Sequence, residues 1–476
     1  MADILDDCAA RVPGARALVT RTDTHTFDGL AARAGELSER LEPETRVVVR
    51  IDNDPASVVA LCAVWRAGCS VVAVSAAVPP AETRRRAEVT GASAVLVPGG
   101  AAGTESMVEH TGSRRRRSRD EAAVMFTSGT TGVPKGVSLT FSALRHSLSG
   151  LALGNALPAH GRLPRLPDRS PRLVAVPIAH MGGLLGLLTA WWTGKPALLC
   201  GKFSVPVLVE LAGRHRLGVI GLTPAMVWDL VDSADAAPLP GVTAVTVGTA
   251  ALPEHTRLAF EQHYRIPVLR NYGQTEFAGA IAFERPDDVA AGIRPPLSVG
   301  RVAPGVRVVI CDDAGTAVPT GATGEIVAAS AAAMSGYLDA DGAPNPAGNW
   351  LRTGDLGRLD DAGFLYVLGR TRDMVVCGGF NVYPVQVERA LNELPEILDS
   401  AVAGLPDDRL GEIPVGVVVL GEGTTLDPNG IRDRLRSRLA AWELPRRLVE
   451  VPRIPRLPSG KVDRAGVAAM FGESAS

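Results

Sequence analysis

A repeated change of hydrophobic period limits most strongly what this chain can fold into. Apolar, β-branched runs alternate with amphipathic ones. RVVVRI (46–51) precedes the helical DPASVVALCAVWRAG (54–68), SVVAVSA (70–76) precedes PAETRRRAEVTG (80–91), and SAVLVPG (93–99) follows. Strand, helix, strand in this rhythm implies parallel βαβ units. The alternation returns at RLVAVPI (172–178), LGVIGLTP (217–224) and VTAVTVGTA (242–250). Pro or Gly ends most of these strands, where open α/β sheets place ligands.

The character changes twice. From about residue 296, GVRVVICDDAG (305–315), GTAVPTGATGEIVAAS (315–330) and GFLYVLGR (363–370) read as short strands joined by Gly/Asp turns, an antiparallel or barrel-like segment. After Arg370, helical VQVERALNEL and NGIRDRLRSRLAAW flank the strands SAVAGLPD and VGVVVLG. The expected fold is α/β: a large N-terminal domain of doubly wound α/β sheets with a small β-barrel-like segment, then a small α+β C-terminal domain. The expected domains are 1–371 and 372–476, with a hinge near 372.

Composition narrows the classes of function. The 476 residues are 46% hydrophobic but 4% aromatic, so the core must come from Ala, Val and Leu. A net charge of −2 gives no general attraction to nucleic acid or a membrane surface. The one basic cluster, Arg114-Arg115-Arg116-Arg117, reads as a solvated loop. Six scattered cysteines suggest neither a zinc site nor a disulfide framework. The acidic start MADILDDCAARVPG lacks the charge of a signal peptide, and the apolar stretch 181–192 is too short to span a bilayer. A cytoplasmic location is expected. A homodimer is compatible with the sequence.

FTSGTTGVPKG (126–136) sets hydroxyls and glycines ahead of one lysine, a composition suited to cradling polyphosphate. It is not the common nucleotide P-loop, because Pro134 stands where the second glycine belongs. NYGQTE (271–276) follows a strand, with a turn glycine, a hydroxyl at Thr275 and a possible magnesium oxygen ligand at Glu276. RTGDLG (352–357) presents Asp355, which suits the two hydroxyls of a ribose, although an ordinary turn also accounts for it. GRTRDMVVCGGFNVYP (369–384) and RLPSGKVDR (456–464) complete the set.

These pieces occur in the order found in one family. The chain resembles the acyl/aryl-CoA synthetases of the adenylate-forming superfamily, which also contains luciferases and peptide-synthetase adenylation domains. The match runs from LVTRTDTHTFDGLAARAGELSERL to PSGKVDR and so covers essentially the whole chain. The resemblance implies two steps: ATP and a carboxylate give acyl-AMP and pyrophosphate, and a thiol then gives a thioester. It implies ATP, Mg²⁺ and CoA, or a phosphopantetheine thiol, as cofactors.

By the same resemblance, Thr127, Ser128, Gly129, Thr130, Thr131 and Gly132 wrap the β- and γ-phosphates, and Lys135 supports that loop. Lys461 bridges the carboxylate and the α-phosphate. Glu276, with Thr130, holds Mg²⁺, Thr275 touches the α-phosphate, and Asp355 takes the ribose hydroxyls beside Arg370. Asn271, Tyr272 and Gly273 belong to the nucleotide site, and Tyr272 with Gly248, Thr249 and Ala250 faces adenine or the acyl group.

The resemblance also implies that rotation at Arg372, where relatives carry Asp or Lys, brings Gly378-Gly379 to the active site for thioester formation. VPIAHMGGLLG (176–186) resembles a family segment, with Ala179 in place of a common Phe, and the resemblance implies that His180 lines the acyl pocket. Gly182, Gly183, Gly186, Gly279 and Ala280 are expected to leave uncharged space there. The favoured acid is therefore hydrophobic: aryl, alicyclic or fatty. The expected acceptor is CoA, the alternative being a standalone adenylating enzyme that hands its acyl-AMP to a carrier-protein phosphopantetheine or a partner enzyme.

Overall fold

The computed structural model describes residues 2–99, 106–113, 116–127, 135–154, 170–233, 237–338, 344–346, 350–421, 423–456 and 462–472. The first βαβ units form as the alternation requires. Strands Ala94–Val97, Arg46–Ile51, Ser70–Ser75 and Glu121–Thr127 lie parallel in that spatial order within an eight-stranded sheet. Val47, Val48, Val49, Val72 and Val124 are fully buried. Unbroken apolar runs are what a parallel sheet covered on both faces needs. Helix Pro55–Arg66 starts where Asp54 accepts the Ser57 amide at 2.7 Å, with Pro55 in the first turn.

A buried ion pair braces this sheet. Arg46 grips Glu121 through two bonds of 2.7 and 2.8 Å, and Ser138 donates to Glu121 Oε2 at 2.8 Å. Satisfying every donor and acceptor is what makes such a pair tolerable in the core.

The second sheet has thirteen strands in one path. Six of them are parallel: Arg16–Val19, Ala197–Leu199, Arg172–Val174, Gly218–Leu222, Val242–Val247 and Val268–Gln274. Strand Val268–Gln274 then pairs antiparallel with Gly279–Phe283 on its other side. From there the sheet continues antiparallel through Ser298–Val302, Phe364–Arg370, Leu351–Leu359, Gly324–Ser330 and Val306–Cys311. The two sheets share one core, in which Val47, Val49 and Val71 join Leu18, Val174, Leu199 and Trp191.

The C-terminal module has its own five-stranded sheet, including Gly411–Leu420 and Ile397–Asp407. Alternation along these strands serves two faces. Val402 and Val418 pack with Val387, Leu391 and Ile431, while Ala401 and Val417 pack with Val467 and Phe471.

Two sequence expectations need correction. Helix Pro428–Leu435 is shorter than the pattern through Trp442, for the Ser437 hydroxyl donates to the Arg434 carbonyl at 2.9 Å and competes with the helical ladder. Of the arginine run, Arg116 is exposed, but Arg117 is half-buried and donates to the carbonyls of Gly68, Ser118, Arg119 and Glu121. Arg114 and Arg115 lie outside the described residues. No helix among the described residues is long and apolar enough to cross a membrane.

Candidate active site

Parallel strands Gly218–Leu222, Val242–Val247 and Val268–Gln274 end in register, Leu222 opposite Val247 and Val247 opposite Arg270. Their carboxyl ends form the edge where ligands collect in open α/β sheets. Gly248 stands just past the middle strand, and a Cβ there would lie 2.0 Å from Asn271 Oδ1. The glycine thus lets the Asn271 side chain lie across the neighbouring strand end. Thr249 follows with φ of +74°, a left-handed conformation that is costly for a β-branched residue and recurs at functional sites. Gly273 closes against the next strand, where a Cβ would meet the Gly279 carbonyl oxygen at 2.0 Å.

Asp355 lies on strand Leu351–Leu359 and is only 4% exposed. Its Oδ2 accepts from the Tyr272 hydroxyl and from Gln274 Nε2, each at 2.7 Å. Arg370, its cross-strand partner, approaches Oδ1 at 3.2 Å. Gln274 also donates to the Thr353 carbonyl at 2.8 Å, which fixes its amide orientation. Burial and the Asp355 charge push the Tyr272 phenol well above its ordinary pKa, so it stays a donor. Sequence reasoning named Tyr272, Asp355 and Arg370, and the structure brings them together. It missed Gln274, whose partner Asp355 lies 81 residues further along the chain.

Thr275 and Glu276 follow in a single turn, Thr275–Phe277, anchored by the buried Phe277. Glu276 Oε1 accepts from the Tyr337 hydroxyl at 2.9 Å. Lys135 Nζ stands 5.2 Å from the centre of the Tyr337 ring, and Lys135 pairs with Thr127 across the hairpin. Thr127, Lys135 and Glu276 therefore share one neighbourhood. Ser128, Gly129, Thr130, Thr131, Gly132 and Lys461 lie outside the described residues. A half-buried carboxylate is a fitting oxygen donor for magnesium, which takes one or two protein carboxylates and fills its shell from substrate phosphates and water. No group of three or more His, Cys, Asp or Glu able to hold a metal occurs among the described residues.

His180 precedes helix Met181–Trp192. It is open to solvent, and the protein around it and the Arg86 guanidinium lower its pKa. Asn53 pins the preceding segment, since its Oδ1 accepts from the Ile178 amide at 2.8 Å.

Of the four glycines expected to leave uncharged space, Gly182 and Gly186 would hold a Cβ at ordinary contact distance, 3.5 and 3.9 Å from their neighbours, but the other two would not. A Cβ at Gly183 would lie 2.2 Å from the Pro177 carbonyl oxygen, and one at Gly279 would lie 2.7 Å from Leu185 Cδ1 and 2.9 Å from Ser147 Oγ. These two glycines allow close packing instead of enlarging a pocket. Arg86 also puts a charge near His180.

Arg372 lies in the turn Thr371–Asp373, with its Nε 3.4 Å from Asp373 Oδ1. Asp373 is held in turn by Arg464, which also pairs with Glu388 at 2.5 Å. Gly378, φ +60°, donates its amide to the Leu410 carbonyl within the C-terminal module, so its observed partner is not in the Asp355 cluster.

The family model for AMP-binding enzymes matches residues 5–338, and that for their C-terminal domain matches 386–461. The chain belongs to the AMP-binding enzyme family. Indoleacetate–CoA ligase of Aromatoleum aromaticum is 35% identical over 354 residues, which cover 72% of this chain and 66% of that enzyme. The fold matches o-succinylbenzoate CoA synthetase of Bacillus subtilis, solved with its acyl-adenylate intermediate, with a TM-score of 0.81 at 25% identity over 98% of this chain and 97% of that one. That same synthetase has also been solved with ATP and a magnesium ion. An amide bond synthetase from Marinactinospora thermotolerans matches with a TM-score of 0.82 at 26% identity over 99% of each chain. The order of motifs had pointed to this family.

Proposed function

We propose that this AMP-binding enzyme activates a carboxylic acid with ATP and transfers the acyl group to CoA. A carboxylate oxygen attacks the α-phosphorus and pyrophosphate leaves. The CoA sulfur then attacks the acyl carbon of the mixed anhydride, AMP leaves, and the thiol proton passes to solvent. The observation that carries this reading is the Asp355 cluster. Tyr272 and Gln274 satisfy Oδ2, so Oδ1, beside Arg370, keeps acceptor capacity for ribose hydroxyls.

Glu276 is assigned the magnesium, which would neutralise phosphate charge as pyrophosphate departs. Thr275 and the 127–132 segment are assigned the phosphates, and Lys461 the join between carboxylate and α-phosphate. Asn271 beside Gly248, with Thr249 and Ala250, is assigned the adenine and acyl boundary. His180 is assigned the acyl side, where its lowered pKa keeps the imidazole neutral at pH 7. A hydrophobic acid is supported by the arylacetate named for the indoleacetate relative. We assign the protein to the cytoplasm, with its domains meeting at a hinge on Arg372.

A second reading, a standalone adenylating enzyme that hands acyl-AMP to a carrier-protein phosphopantetheine or a partner enzyme, is kept because the resemblance puts Arg372 at a hinge position usually held by Asp or Lys. Arg is bulkier than either, and its Nε lies 3.4 Å from Asp373 Oδ1. Thioester yield with CoA against that with a carrier protein separates the two.

A screen of pyrophosphate release over aryl, alicyclic and fatty acids tests the main reading. Lys461→Ala is expected to lose adenylation by about 10²–10³-fold, as for a removed transition-state charge contact. Unchanged release in that variant would remove Lys461 from the reaction. No release with any acid from a protein that still binds ATP would sink the reading as a whole.

A further inference from the structure

Tyr337 lies outside every motif singled out above, yet it touches two of the residues those motifs name. Strand Gly336–Leu338 pairs antiparallel with Lys135–Thr140, Gly336 opposite Ser138 and Tyr337 opposite Val137. This register sets the aromatic ring under Lys135 and the hydroxyl against Glu276. Two backbone bonds reinforce the placement. The Met334 amide donates to the Glu276 carbonyl at 2.7 Å, and the Ser335 amide donates to the Ser138 carbonyl at 2.9 Å. Residues 334–337 therefore stitch the hairpin that carries Thr127 and Lys135 to the turn that carries Glu276.

We infer that Tyr337 is a positioning residue for the metal-bearing carboxylate, its hydroxyl holding Glu276 Oε1 so that Oε2 is presented to the divalent cation. This rests on the function proposed above. The terminal torsion of a glutamate is broad, so an unheld carboxylate must lose that freedom when a cation binds. A donor on one oxygen removes the freedom in advance, as partners around metal ligands generally do. Lys135 above the ring adds a cation–π contact that restrains the phenol.

Tyr337→Phe removes the hydroxyl and keeps the ring under Lys135. Two readouts are taken on the full-length protein: Mn²⁺ binding followed by electron paramagnetic resonance with a non-hydrolysable ATP analogue, and the Mg²⁺ concentration giving half-maximal acid-dependent ATP–pyrophosphate exchange. Both are expected to weaken by about 10–100-fold, the usual loss for a partner of a metal ligand. KM for the acid and analogue binding without metal should not change. Added to Glu276→Gln, Tyr337→Phe should weaken Mn²⁺ binding no further, because a residue acting through Glu276 has nothing left to hold. Tyr337→His, which keeps a ring donor, should recover part of the loss, and melting temperatures of all variants show whether they fold.

Mn²⁺ binding equal in wild type and Tyr337→Phe would overturn the inference. So would a full additional loss in the double variant. Failure of the wild type to exchange pyrophosphate with any acid sinks the proposed activity instead, and leaves the Mn²⁺ comparison standing as its own test.

Discussion

Asp355 and Glu276 are held in opposite ways. Asp355 is 4% exposed and receives Tyr272 and Gln274 on one oxygen with Arg370 beside the other. Glu276 is half-buried and has the Tyr337 hydroxyl on one oxygen. The first arrangement suits a carboxylate that must point one way throughout a cycle. The second suits one that takes up and releases a cation each turn. Gln274 joins the two regions, since it bonds Asp355 and lies two residues before Glu276.

The largest test of this contrast is Asp355→Ala. It is expected to lower kcat/KM for ATP by about 10²–10³-fold, the scale of a deleted charge-bearing contact in an active site. Because this defect concerns the nucleotide and not the metal, added Mg²⁺ should leave it unchanged, whereas Glu276→Gln should be partly relieved. Relief of Asp355→Ala by magnesium would break the comparison.

Gln274→Ala comes next. It removes one charge-assisted bond, worth roughly 1.5–3 kcal/mol, and should raise KM for ATP by about ten- to a hundredfold with the acid KM unmoved. An equal rise for both substrates would mean that Gln274 supports the whole cleft and not Asp355.

The smallest effect is in pH. The Tyr272 pKa is raised on folding, so the folded state keeps its proton longer than the unfolded chain. That contribution to stability is complete below the unfolded value of about 10 and is lost as pH rises through the folded one. ATP affinity measured by calorimetry should therefore stay flat from pH 7 to about 9.5. A fall near pH 9 that Tyr272→Phe abolishes would show the phenol ionising early and weaken the picture of a fixed donor.

Several parts of this site were legible in the sequence because they depend on local chemistry. The Asp355 turn, the Asn271–Glu276 segment and the hairpin ends Thr127 and Lys135 carry residue types suited to phosphate, sugar or magnesium. Gln274 and Tyr337 were not legible. Their signal is a partner 81 and 61 residues away along the chain, and no spacing rule encodes that. Two of the glycines misled for a related reason. A missing side chain looks like space in a sequence, but at Gly183 and Gly279 backbone or side-chain atoms of other segments fill it. Arg86 was overlooked because its helix lies far from His180 in sequence and near it in space.

By itself the sequence determined the alternation of elements, since buried parallel strands and the helices covering them need different hydrophobic periods. It also determined which residues carry charge, hydroxyl or conformational freedom at each strand end. Tertiary structure alone decided which carboxylate is held by several partners and which, among the described residues, by one. That difference comes from donors on separate strands, and only register and sheet order bring a phenol or an amide within 3 Å of a given carboxylate.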